Sequence, residues 1–228
     1  MAQETLTTSP RFSRETAQCM GPYKVCADPE LYMSAVEFSD LPEMVRLLNI
    51  NMDVYNGSAL FGYPFLESQG REKIQKAHEH IEATGINTHW AMRQSPTGPL
   101  IGWAHLHFDH FDSKHPQPVH PVSQKPLVIA DIGYWLSPEH TGKGLAARVG
   151  RFLVEEIAFK DMNCDIVRAV SYVENWPSRK VAERAGMKLE LEKISILIPK
   201  LGVMRDVCCY ASHKDEATRH LVKENYDY

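Results

Sequence analysis

Residues 130–157 read ADIGYWLSPEHTGKGLAARVGRFLVEEI. Three signals follow one another here without a linker. Val128 to Leu136 (VIADIGYWL) is nearly all apolar except for Asp131, the pattern of a central strand covered on both faces. Ser137-Pro138 ends that run. Then comes a glycine-rich turn, Thr141-Gly142-Lys143-Gly144, and a stripe of Leu145, Val149, Phe152, Leu153 and Ile157 that predicts a helix to about Lys160. A glycine turn between strand and helix leaves backbone N–H groups unpaired and facing outward. The glycines allow a ligand close to the backbone, and the helix N-terminus adds positive potential. This is the chemistry of a phosphate or pyrophosphate site, with Lys143 adding charge. The same letters also suit a plain left-handed turn before a helix.

Two familiar phosphate motifs are absent. The P-loop pattern GxxxxGK[ST] fails because Lys143 is followed by Gly144, and no glycine stands five residues before the Gly142-Lys143 pair. The dinucleotide pattern GxGxxG fails because Ala147 stands where its last glycine belongs, and the turn lies late in the chain. Nucleotide hydrolysis and dinucleotide-dependent redox chemistry are therefore poor readings.

Elsewhere the chain alternates strand and helix signals. Leu31 to Phe38 predicts a first strand, and Asp40, Pro42 and Glu43 read as the capped start of a helix with Leu41, Met44, Val45, Leu47 and Leu48 inward. Asn51 to Pro64 is polar and aromatic, a loop or broken helix suited to a binding wall. A second helix is predicted from about Gly70 to Thr84, with Gly85 as its stop. Strands at Thr88 to Arg93 and Leu100 to Phe108 precede an insertion at 109–126 with four prolines and three histidines. Further on, Asp165 to Val173 reads as a strand and Asn175 as a helix cap. Lys188 to Ile198 and Val203 to Ala211 then make a closing hairpin. The order predicts an α/β sandwich of mixed sheet and helices.

With 228 residues, 43% of them hydrophobic, the chain suits one domain with a substantial core. A formal net charge of -4 gives no global field for nucleic acid or anionic membrane, and no apolar run reaches transmembrane length. Five cysteines (Cys19, Cys26, Cys164, Cys208 and Cys209) form no CxxC pair and read as reduced thiols of a cytoplasmic protein. Nothing marks Cys164 as a nucleophile.

The stretch from Ala130 to Met187, with YVENWPSRKVAERAGM at 172–187, resembles the GNAT superfamily of acetyl-CoA-dependent N-acetyltransferases. Within it, the similarity is to the ribosomal-protein N-terminal acetyltransferase branch, and it extends more weakly to LLNINMDVYNG, GYPF and GVMRDVCCYA. The resemblance implies a mostly antiparallel sheet with a central splay and about four flanking helices. It implies a single N-acetyltransferase domain at 23–212, a lead-in at 1–22 and a charged tail at 213–228. It implies acetyl-CoA as co-substrate, no metal, and a monomer or homodimer.

Site residues follow from the same resemblance. In the family pattern [Q/R]-x-x-G-x-[G/A], the last three places fall on Gly144, Leu145 and Ala146, and Thr141 replaces the usual Gln or Arg. Amides of Gly142, Lys143, Gly144, Leu145, Ala146 and Ala147 would hold the pyrophosphate. Main-chain groups near Trp135 and Leu136 would bind the pantetheine arm and polarise the thioester carbonyl. Asn175 and Ser178 would bind the arm as well, although Asn175 serves equally as a helix cap. Asp131, where relatives often carry Glu, would act as general base through water. Its other reading is a structural carboxylate paired with an arginine. The tyrosine that many relatives place seven residues after the asparagine is Ala182 here.

His105 and His107 share one strand face, and His107 is the second catalytic candidate. With His110, His115 and His120 they match no established zinc spacing. The function expected is acetyl transfer to a primary amine by direct attack in a ternary complex, on a small molecule or a protein N-terminus. The competing reading is a non-catalytic acyl-CoA binder or sensor on the same fold.

Overall fold

The computed structural model describes residues 21–108, 117–219 and 221–224. Its strands are β1 (Tyr23–Ala27), β2 (Glu30–Ala35), β3 (His89–Arg93), β4 (Gly102–Phe108), β5 (Ile129–Leu136), β6 (Ile166–Tyr172), β7 (Lys188–Ile198) and β8 (Val203–His213). They form one sheet in the order β1-β2-β3-β4-β5-β6-β8-β7. Every neighbouring pair is antiparallel except β5 and β6. Among the described residues four α-helices of eight or more residues flank the sheet: α1 (Leu41–Leu48), α3 (Glu67–Thr84), α4 (Leu145–Phe152), which runs on as a nine-residue π-helix, and α5 (Trp176–Arg184). The single turns α2 (Asp53–Gly57) and α6 (Leu221–Glu224) complete the set.

The period of two in the strands sorts side chains into two cores. On one face Leu41, Met44, Leu47, Ile74 and Ala77 of α1 and α3 pack against Ala91, Trp103 and Trp135. On the other, Leu145, Val149 and Ala182 of α4 and α5 pack against Ala104, Leu106, Ile132, Val167 and Ala169.

The β5–β6 junction positions the site. Register runs Ile129↔Ile166, Ala130↔Val167 and Asp131↔Arg168, and stops there. On its other edge β5 stays paired with β4 through Gly102↔Leu136. From Ile132 onward the edge of β5 that faces β6 has no strand partner among the described residues, so the two strands splay apart.

Several expectations need correction. The alternation predicts a first strand at 31–38, whereas the structure has two, β1 and β2, ending at Ala35. β1 is a short, half-exposed edge strand whose weak apolar signal hides it. Asp40 makes no side-chain cap to α1; its carboxylate is buried against Arg93, with both guanidinium-to-carboxylate contacts at 2.7 Å. α3 begins at Glu67 rather than Gly70, and the helix after α4 widens into a π-helical stretch at Leu153–Asp161. Within the stretch read as a charged tail, Val222 is buried with Leu127 and Ile129. Much of the histidine-bearing insertion, with His110 and His115, lies outside the described residues. Among the described residues no helix is long and apolar enough to cross a membrane.

Candidate active site

A cavity of about 500 Å³ opens at the splay. Its floor is β5 from Asp131 to Trp135, with Ala169, Val170 and Tyr172 of β6 across the gap. Phe61 and Lys73 close one side, while His89, Trp103, His105 and His107 from β3 and β4 line another.

Asp131 sits at the last rung of the β5–β6 pairing. Its carboxylate accepts a hydrogen bond from Arg168 Nε at 2.7 Å and another from Nη2 at 2.9 Å. Arg168 is almost fully buried. The second sequence reading of Asp131, a carboxylate held by an arginine, is therefore the geometry observed. His107 stands directly opposite Asp131 in the β4–β5 register and is exposed at the cavity.

His105 owes its position to Gly133. A Cβ built at Gly133 would stand 2.1 Å from the Cε1 of His105, so the ring lies where a side chain would otherwise be. The ring of His89 stacks beside it, 5.7 Å between centroids and 16° from parallel. Burial, aided by the neighbouring histidines and Lys73, pushes His89 down to about 4 and His105 to about 3. Both are neutral near pH 7. Burial also pushes Tyr134 up to about 12, so its phenol stays protonated; it donates to the Ser178 carbonyl at 3.4 Å. The Cys164 thiol is likewise raised to about 12 by burial, which leaves it inert.

At the glycine turn, Gly142 and Gly144 both adopt φ +75°, a conformation that side chains disfavour, and a Cβ at either would meet nothing within 4 Å. Gly144 caps α4, and the first amide bonded back is Arg148, to the Gly144 carbonyl at 3.2 Å. The amides of Leu145, Ala146 and Ala147 therefore stand at an open helix N-terminus. Leu145 and Ala147 are buried and Ala146 is half-buried. Thr141 turns its hydroxyl to the Pro138 carbonyl at 2.8 Å, and Lys143 is exposed. Trp135 and Leu136 are buried on opposite faces of β5.

Asn175 caps α5 by accepting from the Ser178 amide at 3.2 Å, and its own amide donates to the Gly57 carbonyl at 3.2 Å. That ties α2 to α5 across the cavity mouth.

The splayed edge of β5 lines the cavity and the glycine turn follows the end of the same strand; the similarity to known proteins agrees. The family model described as acetyltransferase (GNAT) domain matches residues 30–188. The chain belongs to the GNAT acetyltransferase family. It is an acyltransferase that draws its acetyl group from acetyl-CoA. The probable N-acetyltransferase YjcK of Bacillus subtilis (strain 168) is 26% identical over 163 residues, covering 70% of this chain and 81% of that one. The ribosomal-protein-S5-alanine acetyltransferase of Vibrio fischeri has a similar fold, with a TM-score of 0.61 at 16% identity, covering 82% of this chain and 94% of that one. The microcin C7 self-immunity acetyltransferase MccE, solved with acetyl-CoA and AMP, gives 0.61 at 20% identity, covering 86% and 98%.

The residues of this GNAT chain fit the co-substrate. Two residues that line the cavity, Tyr172 and Trp135, carry buried polar atoms (Oη and Nε1) with no hydrogen-bond partner among the described residues. A bound ligand would satisfy them. Among the described residues no group of three or more His, Cys, Asp or Glu side chains is gathered as for a metal. His120 pairs with Asp215 at 3.1 Å instead.

Sequence reasoning missed Lys73, His89, Gly133, Arg168 and Tyr172. Only Gly133 carried a local signal, a glycine inside an otherwise apolar strand, which often marks close approach of another group.

Proposed function

We propose that the chain acetylates a primary amine by direct attack on the thioester within a ternary complex, in the cavity at the β5–β6 splay. What supports this most is that one cavity joins the opened edge of β5 to the polar wall of His89, His105, His107 and Asp131. Amine and thioester can meet beside the His105 ring, which covers Gly133. Acetyl-CoA supplies an activated acetyl group, and the protein's part is to bind, orient and take up a proton. Amides at the start of α4 hold the pyrophosphate, and the unpaired edge of β5 receives the arm.

An attacking amine must first lose its ammonium proton. The sequence pointed to Asp131 for that task. Both Asp131 oxygens are engaged by Arg168, so a proton added there would cancel half of a largely buried ion pair. His107, across the register and exposed to the cavity, is the proton acceptor in our reading, and Asp131 with Arg168 fixes the last rung before the splay.

The acceptor class follows the likeness to the ribosomal-protein branch: a protein N-terminus or a small amine. The test is an amine panel with free-thiol detection, using acetyl-CoA and a longer acyl-CoA. His107→Gln should lower turnover about 100-fold with little change in coenzyme A affinity. Coenzyme A binding without thiol release from any amine would instead favour the sensor reading.

A further inference from the structure

Three charged side chains line the cavity besides its histidines, and two are already balanced. Asp131 is held by Arg168, and Lys76 pairs with Glu72 at 2.6 Å. Lys73 is the third. It is half-buried, its ammonium lies 4.9 Å from the centre of the Phe61 ring, and Glu72, the carboxylate whose charge offsets it, is already paired with Lys76. Burial lowers the pKa of Lys73, and its charge in turn helps depress His89 and His105. A half-desolvated cation that shares its counter-ion with a second lysine gains from a ligand that supplies another.

A second observation points to the same wall. The Phe61 ring that Lys73 covers also meets the Trp135 indole edge-on, with centroids 6.4 Å apart. The Nε1–H of that indole, in a residue only 6% exposed, has no acceptor among the described residues. A further ammonium, that of Lys200, donates to the Phe61 carbonyl at 3.0 Å and adds to the positive potential. A cation from α3 and a neutral donor from β5 thus flank one aromatic ring, that of Phe61.

We propose that the acceptor amine carries an anionic group, a carboxylate or a phosphate, received by Lys73 as counter-ion and by Trp135 Nε1 as hydrogen-bond donor. This rests on the acetyl-transfer reading above and narrows its substrate class. Neutral His89 and His105 and the Asp131–Arg168 pair line the amine end of such a molecule. The anion end lies toward α3.

The experiment compares matched pairs of amines with acetyl-CoA: β-alanine with β-alaninamide, phosphoethanolamine with ethanolamine, and amidated Ser-Asp-Ala with Ser-Asn-Ala peptides. The first two pairs represent small molecules and the third a protein N-terminus. In the wild type, at least one anionic member should exceed its neutral partner by roughly 10- to 100-fold in kcat/KM, the range of a charge-assisted hydrogen bond. Lys73→Met should shrink that ratio to within about threefold, and Lys73→Glu should turn it below one. Thermal melting confirms that both variants fold, and calorimetry should give unchanged coenzyme A affinity.

Equal use of charged and neutral partners by the wild type would overturn the proposal and leave acetyl transfer standing. A preference that survives Lys73→Met would also overturn it. Thiol release with none of the six amines would remove the acetyl-transfer reading, and the proposal with it.

Discussion

Replacing Asp131 with asparagine separates a base from a structural charge, because the two roles fail differently. The substitution keeps the side chain's shape and removes its charge. Arg168, 3% exposed, then trades a bidentate carboxylate at 2.7 and 2.9 Å for one neutral oxygen. Removing one partner of a buried ion pair costs about 3–5 kcal/mol. The oxygen that asparagine retains, and the 23% exposure of Asp131, move this case down to about 2–3 kcal/mol. In a chain of this size each kcal/mol shifts Tm by about 2–4 °C, so melting should fall by roughly 4–12 °C. Turnover should fall by less than about tenfold, since His107 still takes the proton and only the last β5–β6 rung is loosened.

The assay pairs thermal melting with thiol release at saturating acetyl-CoA, measured across pH. A double variant, Asp131→Asn with Arg168→Met, should regain part of the lost stability because no buried guanidinium then faces a neutral amide at that rung. The opposite pattern refutes this reasoning. If Asp131→Asn melts with the wild type yet loses about 100-fold in turnover, with a deficit that shrinks as pH rises, then Asp131 is the base.

Gly144→Glu should weaken coenzyme A binding by about two orders of magnitude, because it sets an anion and a side chain where the α4 amides and a φ of +75° leave open space; calorimetry on the folded variant decides. Gly133→Ala should displace the His105 ring, which a Cβ would approach to 2.1 Å, and so reduce kcat/KM for the amine several-fold while coenzyme A affinity stays put. Acid should destabilise the fold through His89 and His105. Folded, they titrate at about 4 and about 3, against about 6.5 unfolded, so below pH 6.5 the unfolded chain binds protons that the folded chain refuses. Stability is full above that pH and is lost as pH falls toward 4, by up to about 1.4 kcal/mol per pH unit for each histidine. A His89→Gln/His105→Gln double variant should show a flatter acid limb in chemical denaturation, and an unchanged slope would exclude these two rings as its source.

What the sequence made legible was local. The glycine turn could be read because positive φ and an open helix start depend on neighbours along the chain, and the cap at Asn175 for the same reason. Asp131 stood out as the lone ionisable group in an apolar strand, but its meaning depended on a residue 37 positions away, and only the parallel register of β5 with β6 brings Arg168 to it. His89 was invisible as a site residue until antiparallel pairing set it against His105. Lys73 looked like part of a solvated helix face, since Ile74 and Ala77 mark the buried side of α3 and lysines beside such a stripe usually reach water. It turns inward because Phe61, from a segment with no periodic pattern, offers its ring there. The donor end of the site is therefore built from contiguous backbone, whereas the acceptor end is built from side chains on β3, β4, β5, β6, α3 and the loop before it. That division explains why the cofactor could be read from one stretch of letters. The identity of the amine depends on contacts that only register and packing create.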